Sequence, residues 1–441
     1  MSLPRNVAAA GNASSWRIPG VCPVRPLAAD AESTTTSHRA ERTSVRYAAV
    51  TAVPERWKTN AAIVGLGITE MGKIYGRSAA DFAAEAVALA LEDAGLQKSD
   101  IDGLLINGNG NVDMTPYLQM TLGLEDLTML NVMSAAGSTS GAMVQYAALA
   151  LDAGVVRNVV ILYADAPLQE KVGAGAAYGA RGAWNGMNGL RGAYGEFGGN
   201  PPYALAARRH MHLYGTTSEQ LGAIAVAQRK WALMNPRAQM RKPMTLEDHQ
   251  SSRIVVDPFH LFDCCLVSNG AVAVILSTAE RAKYLQQPPV YVRAAAQAAP
   301  GDNKRRGREP GLETGAKRAG EQAFAQAGIT RDEVDVLELY DCYTYTVLVT
   351  LEDYGFCAKG EGGPFVEDGK LGLGGSLPTN TGGGQLSSFY MWGFTPLSEA
   401  VIQARGQGGE RQVEKNDIVL ASGNGGVLNF HSTTILSKHA A

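Results

Sequence analysis

Ala323-Phe324-Ala325-Gln326-Ala327-Gly328-Ile329-Thr330-Arg331-Asp332-Glu333-Val334-Asp335-Val336-Leu337-Glu338-Leu339-Tyr340-Asp341-Cys342-Tyr343 carries four structural signals in order. The alanines and Phe324 read as the end of an amphipathic helix, and Gly328 stops it. Thr330 to Asp335 is an acidic turn. Val336 to Leu339 is a short apolar run, read as a buried strand that delivers Tyr340, Asp341 and Cys342 at its carboxyl end. The same order occurs earlier in the chain. Ser78, three before Asp81, opens a helix whose Phe82, Ala86, Val87, Ala90 and Leu91 share one face. Gly95 ends that helix, Ser99 to Asp102 turns, and Gly103 to Ile106 is a second buried strand. A further pair of segments matches as well: Tyr146 to Gly154 followed by Val159 to Leu162, and Glu399 to Gly409 followed by Ile418 to Leu420. Helix, stop, turn and strand recurring in one order predict an α/β protein made of two duplicated halves.

The globular part opens at Ala61-Ala62-Ile63-Val64-Gly65-Leu66-Gly67, an apolar run that ends in glycines. Residues 1–57 carry Ser, Thr, Ala and scattered Arg without periodicity or a secretory apolar stretch, and read as a disordered leader. The expected division is an N-terminal half over 58–288, with a long loop insertion at 166–263, and a C-terminal half over 289–441. Gly173 to Gly199 is rich in glycine, which points to a lid, tunnel wall or docking surface. Leu221 to Met234 has helical periodicity and ends just before Pro236.

At 441 residues and 45% apolar, the chain can bury substantial cores. Its 39 basic and 42 acidic side chains nearly cancel, with no basic run to track phosphates, so nucleic acid is not an expected partner. Cys22, Cys264, Cys265, Cys342 and Cys357 lack Cys-x-x-Cys spacing, which argues against a disulfide framework or zinc ribbon and fits a reducing cytoplasm. No apolar stretch reaches the roughly 18 residues of a membrane span. His210, His212 and His249 lack metal-ligand spacing, so no metal is expected. Lys304, Arg305, Arg306 and Arg308 form a basic cluster that suits a solvated loop better than a phosphate site.

Four segments in order carry a resemblance to a known family: Ser134-Ala135-Ala136-Gly137-Ser138-Thr139, Cys264 to Ala271, Tyr340-Asp341-Cys342-Tyr343, and Ser422-Gly423-Asn424-Gly425-Gly426. Together with the duplication they resemble the thiolase superfamily, in its lipid-transfer-protein or sterol-carrier-type branch, over about Asn60 to Leu436. The paired Tyr340 and Tyr390 look like those of the steroid side-chain-degrading aldolases. The resemblance implies a layered αβαβα fold, a homodimer, and an OB-fold partner protein, for which the glycine-rich segment is a candidate docking site.

Departures from the family pattern decide the expected chemistry. Ser134 stands where a thiolase has its nucleophilic cysteine. Tyr340 replaces the histidine of a His-Asp-Cys-Phe box, and Phe389-Tyr390-Met391 falls where a Gly-His-Pro turn gives a second histidine. No cysteine follows Cys357 to act as the second acid–base thiol. Claisen chemistry through a covalent thioester lacks its nucleophile. Tyr340 and Tyr390 are therefore the candidate catalytic residues, against the plainer reading of half-buried aromatics. Ser134, Gly423 and Gly425 are candidates to surround a thioester oxygen with backbone N–H groups, Ser134 as a helix-start residue. Asp341 is a candidate to orient a neighbour, with a surface or capping aspartate as the alternative.

The expected reaction is a retro-aldol cleavage of a β-hydroxyacyl-CoA, by resemblance a steroid side-chain thioester, to a ketone and a short acyl-CoA such as propionyl-CoA. No cofactor is called for, because the thioester is the electron sink. Two alternatives stand beside it: an acyltransferase that uses Ser134, and a non-catalytic acyl-CoA or lipid-binding subunit.

Overall fold

A computed structural model describes residues 57–108, 112–178, 186–195, 198–301 and 311–440. The leader at 1–57, apart from Trp57, and the basic cluster at Lys304 to Arg308 lie outside them. The first half runs β1 (Ala61–Ile68), α1 (Ala79–Ala94), β2 (Gly103–Asn107), α2 (Leu118–Leu122), β3 (Met129–Met133), α3 (Thr139–Asp152) and β4 (Asn158–Asp165). An insertion follows: α4 (Gly186–Ala193), α5 (Asn200–Tyr214), α6 (Ser218–Leu233), α7 (Leu246–Ser251), and a small hairpin of β5 (Ile254–Val256) and β6 (Phe259–His260). Then come β7 (Gly270–Thr278) and α8 (Ala279–Ala282). The second half comprises β8 (Val290–Ala298), α9 (Ala316–Ala327), β9 (Val336–Glu338), α10 (Thr344–Tyr354), α11 (Gly362–Glu367), α12 (Phe394–Ala404), β10 (Ile418–Gly425) and β11 (Phe430–Ser437).

Nine strands join in the order β3-β2-β4-β7-β1-β8-β11-β10-β9. Read outward from the β1–β8 seam, β1-β7-β4-β2 on one side repeats as β8-β11-β10-β9 on the other, which is the duplication in topological form. The repeated acidic turn has a physical cause. Asp102 accepts the backbone N–H groups of Arg157 and Asn158 at the start of β4. Asp335 accepts those of Asp417 and Ile418 at the start of β10. Each carboxylate fixes the register of a parallel strand pair that no hairpin could set.

Strand alternation builds the layers. Val159, Ile161 and Tyr163 of β4 face one core, while Val160, Leu162 and Ala164 face another. The first core is central: α3 and α12 lie in it and touch strands of both halves. Helix α1 covers the outer face of the first half, and α9 and α10 that of the second, completing αβαβα. The insertion at 166–263, expected as a long loop, holds four helices among its described residues, and α6 falls on the Leu221 to Met234 segment whose periodicity predicted a helix. Thr217 with Gln220 and Thr245 with Asp248 form capping boxes, and prolines occupy the first turn of α5. Among the described residues no helix is long and apolar enough to cross a membrane.

Candidate active site

The duplication also builds the site. In the turn between β3 and α3, Ala135 N–H donates to Thr139 Oγ1 at 2.8 Å, Ala136 has φ +50°, and Gly137 follows. Before α12, Met391 N–H donates to Thr395 Oγ1 at 2.9 Å, Trp392 has φ +52°, and Gly393 follows. Ser134 and Tyr390 therefore occupy equivalent places, each one residue ahead of a matched elbow. Tyr340 lies five residues past Asp335 at the end of β9, as Asn107 lies five past Asp102 at the end of β2.

Glycine lets the elbows nest. A Cβ on Gly137 would lie 2.3 Å from Tyr340 Cζ and 2.2 Å from the Asn424 carbonyl oxygen. One on Gly393 would lie 2.3 Å from the Gly137 carbonyl. Gly423 and Gly425 press on the same turn, where a Cβ would come within 2.7 Å of Gly137 O and 2.6 Å of Ala135 O respectively. Both lie within β10 rather than in a tight turn. Helix α3 begins at Thr139, so Ser134 is not its opening residue as read from the sequence. The hydroxyl of Ser134 is exposed and bonds no base among the described residues, because the elbow inserts Ala135 to Ser138 between strand and helix.

Tyr340 and Tyr390 come together, with their hydroxyl oxygens 3.4 Å apart. Tyr340 N–H donates to Ser422 Oγ, and Tyr390 N–H to Ser268 Oγ, each at 3.0 Å. Ser268 is itself held by Gln239 at 2.7 Å. Burial pushes both phenols well above their ordinary value, with neighbouring groups adding to it. The thiols of Cys265 and Cys342 border the pair, and burial raises both of them too. At neutral pH the site holds neutral phenols and neutral thiols.

Asp341 is fully buried and caps a π-helical turn, Gly384–Ser388, by accepting the N–H groups of Gln385 and Leu386. The turn leads directly into Tyr390, so the capping alternative and the orienting one are the same contact. Burial lifts this carboxyl to about 7 against the downward pull of those hydrogen bonds. Behind it, Glu338 and Glu399 share the Thr381 hydroxyl, and Arg411 pairs with Glu399 at 2.8 Å. His210 is occupied by buried Glu352 at 3.0 Å, and His249 lies 3.0 Å from buried Asp263.

Three residues absent from the sequence reading stand beside the pair. Asp165, at the end of β4, accepts the hydroxyls of Tyr163 at 3.0 Å and Tyr178 at 3.1 Å. The Tyr178 ring lies edge-on to Tyr390, with 6.4 Å between centroids. A strand-end aspartate two residues after a tyrosine was the available signal, but nothing in the sequence brings Tyr178 to it.

A duplicated αβαβα fold with two elbows meeting at its centre defines the thiolase class, here with phenols where that class uses thiol and imidazole. The family model "Thiolase C-terminal domain-like" matches residues 301–438. The chain is 38% identical over 376 residues to a steroid side-chain-cleaving aldolase of Thermomonospora curvata, covering 83% of this chain and 95% of that one. It is also 38% identical to the 17-hydroxy-3-oxo-4-pregnene-20-carboxyl-CoA lyase of Mycobacterium tuberculosis, over 83% of this chain and 96% of that one. The solved Ltp2-ChsH2(DUF35) aldolase superposes with a TM-score of 0.77 at 36% identity, covering 87% of this chain and 99% of that chain. The chain belongs to the thiolase superfamily, in its sterol-carrier-type branch. Within that branch it is a carbon–carbon lyase.

Proposed function

We propose that this lyase performs a retro-aldol cleavage of a β-hydroxyacyl-CoA, a steroid side-chain thioester bearing a tertiary alcohol, to a ketone and a short acyl-CoA such as propionyl-CoA. The observation that carries the reading is the pair of phenol oxygens 3.4 Å apart at the centre of a thiolase fold. The names of the two relatives support a steroid thioester as substrate.

Overall, such a cleavage moves one proton from the substrate hydroxyl to its α-carbon and gains or loses none. Two adjacent neutral phenols suit that balance. One oxygen takes the hydroxyl proton as the carbon–carbon bond breaks and the ketone forms. Its own proton passes to the second oxygen, and the second phenol's proton goes to the α-carbon of the enolate. Neither phenol has to persist as an anion, so their raised proton affinity is no obstacle. While the thioester oxygen carries the negative charge, backbone N–H groups around Gly423, Gly425 and the Ser134–Ser138 turn are the candidate donors. The thioester is the electron sink, and the reading calls for no cofactor.

The exposed Ser134, with no base bonded to it among the described residues, weighs against the acyltransferase alternative. An OB-fold partner is part of the proposal, supported by a neighbour named for two components, Ltp2 and ChsH2(DUF35). A homodimer through β3 is also proposed. That strand ends the sheet, and Val132, Tyr146, Leu149 and Val155 leave an exposed apolar patch beside it. A cytoplasmic location fits the cysteine pattern. The test is to incubate the chain, with and without an OB-fold partner, with such a thioester and follow both products by mass spectrometry. Ketone and short acyl-CoA released together support the reading; binding of the thioester without turnover in either sample contradicts it.

A further inference from the structure

The tyrosine pair is flanked by an anchored group that the mechanism above does not use. β4 ends in Asp165, whose side chain lies on the same strand face as Tyr163 two residues earlier. Asp165 is 2% exposed, and one of its oxygens, Oδ2, accepts both the Tyr163 and the Tyr178 hydroxyl. Each phenol is then tied to the pair's surroundings. Tyr163 packs 5.4 Å from Trp392, the residue two after Tyr390 at positive φ in the second elbow. Tyr178 sets its ring at 74° against Tyr390 itself.

A phenol has one proton to donate. Because Asp165 takes the proton of Tyr178, the Tyr178 oxygen acts only as an acceptor. Any hydroxyl that reaches it must donate. A buried carboxylate with two hydrogen-bonded phenols is also a rigid unit, since both partners are lost if it moves. The ring of Tyr390, whose backbone lies between the π-helical turn and the elbow before α12, has Tyr178 set edge-on beside it.

We propose that Asp165 and Tyr178 are positioning residues for the reaction: Asp165 holds Tyr178 edge-on to Tyr390 and thereby fixes the Tyr390 hydroxyl toward Tyr340. The proposal rests on the retro-aldolase reading. It also gives the glycine-rich segment a part in the site, since Tyr178 belongs to it. A misplacement of about 1 Å at a reacting group is enough to cost about 100-fold in rate.

The experiment measures kcat and KM for ketone release by the full chain with its OB-fold partner. The variants are Tyr178→Phe, Asp165→Asn, their double, Tyr390→Phe, and Tyr284→Phe as a control on an exposed tyrosine outside the glycine-rich segment. Tyr178→Phe is isosteric and half-buried, so it tests the idea even if Asp165→Asn fails to fold. The expected result is a kcat loss of at least about tenfold for each single variant with KM within about threefold, and a double variant no worse than the poorer single. Tyr284→Phe stays at the wild-type rate. If Tyr390→Phe is impaired while Tyr178→Phe keeps its kcat within about twofold, or changes KM alone, the positioning role is overturned. If the wild-type chain with partner releases no ketone, the retro-aldolase reading itself falls, and this inference with it.

Discussion

Asp341 joins the strand end at Tyr340 to the turn that precedes Tyr390. Its carboxyl caps the π-helical turn that carries Tyr390, yet burial raises it to about 7. The native state therefore binds a proton that the unfolded chain has released once the pH exceeds the ordinary carboxyl value. Between 3.8 and about 7, this group makes stability fall as pH rises. Asp341→Asn keeps an acceptor for Gln385 N–H and removes the titration. Urea midpoints measured across that window are expected to slope less steeply for the variant than for the wild type. Tyr340 and Tyr390 were legible in the sequence because the family pattern fixes which positions face the centre. Ser134 was legible as a position but not as a conformation: a four-residue elbow separates it from the helix that the pattern implies. Asp165 and Tyr178 were not legible, because their contact joins a strand end to an aperiodic segment.

Among the elements, the two elbows and strand β10 are packed backbone against backbone, and glycine is what permits it. Gly137→Ala places a Cβ 2.3 Å from Tyr340 Cζ and 2.2 Å from the Asn424 carbonyl oxygen, contacts relieved only by a shift of the ring or of the backbone. The expected cost is about 1–3 kcal/mol of stability. Cleavage is expected to fall by about 100-fold or more, since the 3.4 Å approach of the hydroxyls is lost. Thermal unfolding and steady-state rates on one preparation measure both. An unchanged rate would mean that Tyr340 works from another position. The same elements show why the fold was readable and most of the insertion was not, α6 excepted. Asp102 and Asp335 leave an acidic signature at equal distances before their strands, so the repeat shows in the residues. The glycine density of 173–199 drew the reading toward a loop and away from the prolines and capping boxes that follow it at α5, α6 and α7.

For the whole molecule, nine strands leave two edges, and these are treated differently. The β9 edge is met by Thr379, which bridges to Leu337. The outer edge of β3 has no partner strand among the described residues, and Val132 on it is 40% exposed. Val132→Lys and Leu149→Glu put charges on that edge and on the helix face beside it. Together they are expected to convert a dimer into a monomer in light scattering, without unfolding. A wild-type monomer would overturn the dimer, and a variant dimer of unchanged stability would place the interface elsewhere.

At the scale of the molecule, the phenol pair, and not Ser134, is expected to carry the chemistry. The most direct measurement is single-turnover cleavage of a β-hydroxyacyl-CoA thioester by the wild type, Tyr340→Phe, Tyr390→Phe and Ser134→Ala, with mass spectra of both products and protein. The expected result is a loss of about 100-fold or more for each tyrosine variant, cleavage retained by Ser134→Ala, and no acyl adduct on the protein. Near-full cleavage by both tyrosine variants, or an acyl group trapped on Ser134, would contradict it.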